Sequence, residues 1–413
     1  MSRVPPARIA IVGGGLGGLT LARILQMHGV EAFLYEAETT HDARAQGGTL
    51  DLHPESGQYA IRAAGLDRAF REVARPEGQD LQIVDKTGAV HFAEIAEESD
   101  GDRPEADRGA LRAILLDAID PATIRWGHRL SRATPLGDGR HRLHFANGVT
   151  ETHDLLIGAD GAWSRVRPLL TDARPRHTGV SFIEIGIPDA DRTRPALARL
   201  VGRGTMMALH DNKALLAQRN GDGRIRVYVA FRCAEDWLTA SGIDFGRPDR
   251  ARSAIRDHFA DWSRQLTDLI RHCDDEILPR PLGMLPIGLS WPATPGVTLL
   301  GDAAHLMSPF AGAGANLAMR DAADLAHTLV GADGDLSAAL GAYEKTMTER
   351  AAAHAEESAR NLDLCIAPDG ARLMAAQAAR YAQRPPGGAT SSSARTDRPP
   401  VPTPLSESLN PES

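Results

Sequence analysis

Arg8-Ile-Ala-Ile-Val-Gly-Gly-Gly-Leu-Gly-Gly18 decides how this chain is read. A short apolar strand runs into Gly13-x-Gly15-x-x-Gly18, and an apolar-periodic helix follows through Leu19, Ala22 and Leu25. The first glycine permits a tight bend, the second lets the backbone approach a pyrophosphate, and the third lets helix and strand pack closely, so the phosphates rest on the helix N-terminus. A second strand, Val30 to Tyr35, ends in Glu36, eighteen residues past Gly18, where a carboxylate accepts hydrogen bonds from both hydroxyls of a ribose. The glycine pattern alone also marks turns that bind nothing. Strand, glycines, helix, strand and terminal acid in succession point to an adenine dinucleotide.

The rest of the composition suits a globular enzyme. The 413 residues are enough for two ordinary domains plus extras, each burying its own core. A net charge of −8 gives no electrostatic reason to expect nucleic acid or an anionic membrane as partner. Lysine occurs only at Lys86, Lys213 and Lys345, a compositional bias to which no function is attached. Cys233, Cys273 and Cys365 lack metal-ligand or CxxC spacing and read as buried, reduced thiols of a cytoplasmic protein. The apolar N-terminus has neither a cleavage-site pattern nor an apolar span of membrane length, so neither secretion nor insertion is expected. The protein is taken as a monomer.

Beyond the first βαβ unit, helical and strand-rich blocks alternate. A helical stretch is expected near Glu55–Ala64, strands at Leu81–Val84 and Val90–Phe92, and an amphipathic helix from Arg108 to Ile119 with Leu111, Leu115 and Ile119 on one face. Strands follow around Ile124–Trp126, His141–Phe145 and Asp154–Ile157. A β-rich stretch then covers Val180–Ile187, Thr205–His210, Ala214–Arg219 and Ile225–Arg232, with Asn220-Gly-Asp-Gly223 as a hairpin turn. One helix from about Arg250 to His272 closes that block, and another runs from Ser337 to Ile366. The expected division is a discontinuous dinucleotide-binding domain (1–75, 103–174 and 287–332), a substrate domain (76–102 and 175–286), a helical segment (333–383) and a disordered Pro/Ser/Thr tail (384–413).

Two further motifs narrow the dinucleotide site. Leu155-Leu-Ile-Gly-Ala-Asp160-Gly161 is an apolar strand ending in Asp-Gly, and Val297-Thr-Leu-Leu-Gly301-Asp302 is another ending in Gly-Asp. A carboxylate at such a strand end can bind a ribityl hydroxyl, and a lone acid after four apolar residues has little structural use. The run that follows Asp302, with Pro309, Gly312, Gly314, Ala315 and Asn316, opens a helix whose N–H groups point at whatever docks there. Reduced flavin is an anion at N1/C2=O, which gives that helix end an electrostatic task.

In this order the GxGxxG, DG and GDAAH-P motifs resemble the group A flavoprotein monooxygenases, the family of p-hydroxybenzoate hydroxylase. Gly-Gly-Thr-Leu-Asp-Leu-His at 47–53, Leu-Arg-Ala-Ile-Leu-Leu at 111–116 and Gly-Asp-Ala-Ala-His-Leu-Met at 301–307 look like its tetracycline-degrading branch. The likeness runs from residue 8 to about 366. It implies an α/β fold with a Rossmann-like FAD-binding domain, an interleaved antiparallel-sheet substrate domain and a long C-terminal helix. It also implies tightly bound FAD, NAD(P)H as transient reductant, and a C4a-hydroperoxyflavin that transfers one atom of dioxygen to an electron-rich carbon of a small aromatic or polycyclic substrate. Carried over residue by residue, it assigns Gly13, Gly15, Gly18 and Glu36 to the ADP half of FAD, Asp302 to the ribityl chain, and Asp51 and Arg112 to the flavin. It assigns Arg44 to NADPH, with Arg108 as a second candidate, and Asp160 and Gly161 to both cofactors. Bland alternatives stand beside these roles: Arg112 as a solvated helix charge, Asp51 and Asp160 as anchors of their own turns.

Little else competes. The fifteen histidines are dispersed, and His53, His210 and His305 read as structural. No metal-ligand spacing, Gly-x-Ser-x-Gly elbow or halogenase Trp-x-Trp-x-Ile-Pro is found, and no catalytic dyad is evident. Glu184, Thr205 and Arg226 fall in strands where the tetracycline-degrading branch holds its drug, but their residue types differ. Met207 and Tyr228, with Phe182, Ile185, Met206, Leu209 and Phe231, supply an apolar lining suited to a flat ring system, or simply sheet core. Hydroxylation of a phenolic or enolic substrate, with tetracycline as the leading example, is the expected function. A flavin oxidase or dehydrogenase that inserts no oxygen, and a flavin-binding protein without turnover, are the alternatives.

Overall fold

The computed structural model describes residues 8–43, 47–96, 103–332 and 334–382. Arg44 and the 384–413 tail lie outside the described residues. At the centre of the first region is a five-stranded parallel sheet in the order Val297–Leu299, Leu155–Gly158, Ile9–Val12, Ala32–Tyr35, Ile124–Arg125. Ile9 to Val12 are all buried, as the middle strand of a sheet covered on both faces requires. Helix Leu16–Met27 lies on one face with helix Gly314–Gly331 beside it, and both bury alanine- and leucine-rich sides. Among the described residues no helix is long and apolar enough to cross a membrane.

The second region is a seven-stranded sheet, in the order Leu278–Met284, Arg176–Ile187, Ile225–Arg232, Lys213–Arg219, Thr205–His210, Leu81–Val84, Val90–Glu94, antiparallel except where Thr205–His210 meets Leu81–Val84. The Asn220–Gly223 turn joins two of these strands, with Gly223 N–H donating to the Asn220 carbonyl at 3.1 Å. Strand periodicity splits its side chains between two faces. Ile183, Ile185, Met206, Leu215, Val227 and Phe231 pack on the surface helices Pro195–Val201, Pro248–Asp257 and Arg264–Arg271. Phe182, Met207, Leu209, Leu216 and Tyr228 face the other way, towards Phe310 and the C-terminal helices Leu336–Cys365 and Gly370–Ala382. Ile185, Met206 and Phe231, counted as pocket lining in the sequence reading, are therefore core on the far side.

A second correction concerns the helix expected from Arg250 to His272. Two helices stand there, because Phe259 and Trp262 both turn inward, edge to face at 4.9 Å, and the Ser263 N–H leaves the helical ladder to donate to the Lys86 carbonyl at 2.7 Å. The amphipathic helix from Arg108 ends at Asp117, two residues before Ile119. Leu130–Pro135, His141–Phe145 and Thr150–His153 form a small three-stranded sheet, of which the sequence pattern predicts only the middle strand.

Candidate active site

The glycine turn closes as its spacing requires. Gly13 has φ +107°, and a Cβ there would sit 2.3 Å from the Ala159 carbonyl oxygen. A Cβ on Gly18 would sit 2.0 Å from the Gly13 oxygen, so this helix and strand meet only without side chains. Gly15 faces open space, and no side chain caps the helix that follows it. Glu36, at the end of the next strand, receives the Gly14 N–H at 2.5 Å and the Glu38 N–H at 2.8 Å, which fixes its carboxylate beside the turn. Arg112 joins this group. It is buried, pairs with Glu38 at 3.1 Å, donates to the His41 carbonyl at 2.7 Å, and approaches the Gly14 carbonyl at 3.4 Å. It is not a solvated helix charge.

A second cluster forms around the start of helix Gly314–Gly331, which also has no side-chain cap. Asn316 stitches it together: Oδ1 accepts the His53 and Gly57 N–H groups at 3.0 and 3.2 Å, while Nδ2 donates to the Asp51 carbonyl at 2.8 Å and the Gly312 carbonyl at 3.3 Å. The amide side chain is thus spent on the protein itself, and the first turn of the helix has no side-chain acceptor for its backbone N–H groups. Gly312 takes φ +62° at the end of the Pro309–Ala311 turn. Asp302 begins a short helix opposite; burial pushes its carboxyl up, opposed by the charges of His305, Arg108 and Arg167.

The Asp-Gly motif lies between the two clusters. Asp160 Oδ2 accepts the Arg165 N–H at 2.7 Å, whereas Oδ1 is buried without a partner. Arg167, which the sequence reading passed over, is buried and donates to the Ala162 carbonyl at 2.6 Å and the Ala303 carbonyl at 3.1 Å, tying the Asp-Gly loop to the Gly-Asp loop. Also unanticipated is a charged network beneath these loops. His305 Nε2 lies 2.6 Å from Asp321 Oδ2, and Asp321 Oδ1 receives Arg350 at 2.8 Å. Burial opposes a charge on His305, yet Asp321 overrides it and holds the imidazole above its ordinary range. Burial likewise works against Asp321, and His305 and Arg350 more than reverse it.

On the antiparallel sheet, cross-strand register gathers the remaining candidates on one face. Glu184 stands opposite Tyr228, Tyr228 opposite Leu216, and Leu216 opposite Met207; the next row runs Arg226, Gln218, Thr205. Glu184 forms ion pairs with Arg226 and, at 3.3 Å, with Arg280. Arg280 had no sequence signal: it sits between two prolines, and only its register opposite Phe182 brings it here. Phe182 in turn packs edge to face on Phe310 at 5.8 Å, which carries this face to the segment following the Gly-Asp motif.

These features fit a bound dinucleotide: two uncapped helix N-termini suit anionic groups, an open approach at Gly15 suits a pyrophosphate, and an orphaned Asp160 oxygen awaits a donor. Comparison with known proteins agrees. Residues 7–236 and 294–358 match the FAD binding domain family. Monooxygenase asqM of Emericella nidulans is 33% identical over 443 residues, spanning 91% of this chain and 99% of its own. The 3-amino-4-hydroxybenzoate 2-monooxygenase PtnB3 of Streptomyces platensis is 29% identical, with 88% and 90% covered. Among solved structures, Klebsiella pneumoniae HpxO complexed with FAD and uric acid has a TM-score of 0.73 at 23% identity over 89% of this chain and 91% of that one. Tetracycline destructase Tet(55) has a TM-score of 0.68 at 22% identity over 87% and 90%.

Proposed function

The chain belongs to the FAD binding domain family and is an FAD-dependent monooxygenase of the p-hydroxybenzoate hydroxylase fold, and from that premise we propose that it hydroxylates an electron-rich, ionisable phenolic or enolic ring, with NAD(P)H as reductant. Bound FAD supplies the two-electron store that links NAD(P)H to dioxygen and the activated oxygen that reaches the substrate. In this reading Gly13, Gly15 and Gly18 lie under the pyrophosphate, Glu36 takes the ribose, and Asp302 takes the ribityl chain. Arg112 and Asp51 line the flavin, and the helix end at Gly314 faces its pyrimidine edge. Arg44 and Arg108 are the candidates for the nicotinamide cofactor, and Asp160 with Gly161 serves both.

The observation that carries the substrate class is the cluster of Glu184 with two arginines on a largely apolar sheet face. Arg226 and Arg280 bring guanidinium donors to that end of the face, which suits a phenolate, enolate or ring carboxylate whose apolar body lies along Phe182, Met207 and Tyr228. A substrate that arrives ionised needs little acid–base help at the reacting carbon. The 3-amino-4-hydroxybenzoate for which one similar protein is named and the uric acid bound in another are of this kind, and so is the enolic core of tetracycline.

Enzyme, NADPH and isotopically labelled dioxygen are to be incubated with tetracycline, 3-amino-4-hydroxybenzoate and urate in turn. A product carrying one labelled oxygen identifies the substrate class. NADPH consumption that yields only peroxide with every ionisable ring tested overturns it.

A further inference from the structure

The overall reaction, RH + O2 + NAD(P)H + H+ → ROH + NAD(P)+ + H2O, takes up one proton from solvent in each turnover. Three alternate residues of one loop span the distance from the site to the surface. His53 Nε2 lies 2.9 Å from Asp51 Oδ2, and its Nδ1 lies 3.7 Å from Glu55 Oε1. Side-chain exposure runs 17%, 5% and 47% along Asp51, His53 and Glu55, so a nearly sealed imidazole separates an inner carboxylate from an outer one. We propose that Asp51, His53 and Glu55 form a proton path between the flavin site and solvent. The proposal rests on the reading that Asp51 lines the flavin.

The loop is held for that purpose at nearly every residue. Asn316 binds the backbone of Asp51 and His53, Gln58 donates to the Leu52 carbonyl at 2.6 Å, Arg62 to the Pro54 carbonyl at 2.9 Å, and Arg320 to the Glu55 carbonyl at 2.6 Å. In transit Glu55 takes a proton from water, His53 accepts it on Nδ1 while releasing another from Nε2, and Asp51 receives that one. Each hop breaks one O–H or N–H bond and makes one, with no electrons transferred. The 3.7 Å gap is the span of a small side-chain rotation or one bridging water.

Neighbouring charges bear on the path from two other elements. Glu105 stands opposite Asp51 in the two-stranded ladder and accepts from Thr49 Oγ1 at 2.5 Å; burial, with the Asp51 charge adding, pushes its carboxyl up to about 8. From helix Leu336–Cys365, His354 faces His53. Burial pushes His354 down to about 4, and the charges of His53, Arg350, His305 and Arg103 act in the same direction.

The test uses two readouts. In the FAD-free protein, imidazole nitrogen NMR assigned with His53→Gln reports the tautomer of His53, which is expected to change in Glu55→Gln. In the holoenzyme, reoxidation of the reduced enzyme by oxygen without substrate also consumes one proton. Its rate, followed from about pH 5 to 9 in H2O and D2O, is expected to fall about tenfold or more in His53→Gln, losing its pH dependence and solvent isotope effect. Glu55→Gln, an exposed substitution that spares the fold, is expected to displace the same profile. A His53→Gln enzyme that keeps its FAD, its pH profile and its isotope effect overturns the path. An Asp51→Ala enzyme with unchanged FAD affinity and flavin spectrum overturns instead the placement of Asp51 on which the path depends.

Discussion

The parallel-sheet region and the seven-stranded sheet build their candidate sites from different materials. In the first, the recognising groups are mostly backbone: the turn at Gly13–Gly18, the uncapped helix ends after Gly15 and Ala313, and carboxylates set at strand ends. In the second they are side chains on one pleated face. Backbone sites tolerate few residue types and so leave a recognisable pattern. Side-chain sites on a sheet can change ligand by changing residues without touching the fold.

Substitutions that abolish one region's site while sparing the other test this contrast. The largest effect is expected from Gly18→Val, whose Cβ would collide with the Gly13 oxygen. FAD affinity should fall by about a hundredfold or more, roughly 3 kcal/mol, and the purified protein should be colourless. Wild-type flavin content in that variant would mean that the turn does not carry the cofactor.

Next in size is Asp321→Asn, which strips the carboxylate from buried His305 and leaves Arg350 with Asp324, and should destabilise the protein by about 3 kcal/mol, read as a lowered Tm. Its pH signature has a definite sign. The value of folded His305 is raised, so its contribution is present below the unfolded value and is lost as pH rises through the folded one. Asp321, lowered in the fold, loses its contribution as pH falls through its folded value. Wild type should therefore lose stability on the alkaline side of the ordinary histidine range, and Asp321→Asn should lose that slope. An alkaline slope that survives the substitution assigns it to other groups.

Asp302→Ala should weaken FAD binding by about 1–3 kcal/mol while leaving the seven-stranded sheet intact, measured by flavin retention through gel filtration. Glu184→Gln should do the reverse. FAD content stays at the wild-type level while the apparent substrate constant shifts about tenfold, because Arg226 and Arg280 lose the ion pairs they make with Glu184. Loss of flavin in Glu184→Gln would show that the two regions are not separable. The smallest change is expected from Arg44→Ala, a few-fold rise in the NADPH concentration needed for anaerobic reduction with FAD unchanged. An unaltered dependence would leave Arg44 as an ordinary surface charge.

Much of the fold was readable before any coordinates. The strands at Leu81–Val84, His141–Phe145, Thr205–His210 and Ile225–Arg232 stand where periodicity put them, and so does the turn at Asn220–Gly223. The single helix over Arg250–His272 failed because apolar periodicity does not register where a chain must break to turn two aromatic residues inward. The apolar lining was half misread because residues i and i+1 of a strand face opposite ways, so Met206 and Met207 look alike in sequence and lie in different cores.

The linear order of residues settled the dinucleotide turn, since its chemistry depends on glycines a fixed few positions apart and on an acid at the end of the adjoining strand. Tertiary structure alone decided that Arg112 pairs with Glu38, that Arg167 bridges two motif loops, that Arg280 meets Glu184, and that His53 lies between Asp51 and a surface carboxylate next to a helix some 260 residues further on. Local geometry repeats with the chain and is written in its spacing. The neighbours of a charged side chain are set by how sheets and helices pack, and those pairings span the chain with no periodicity to reveal them.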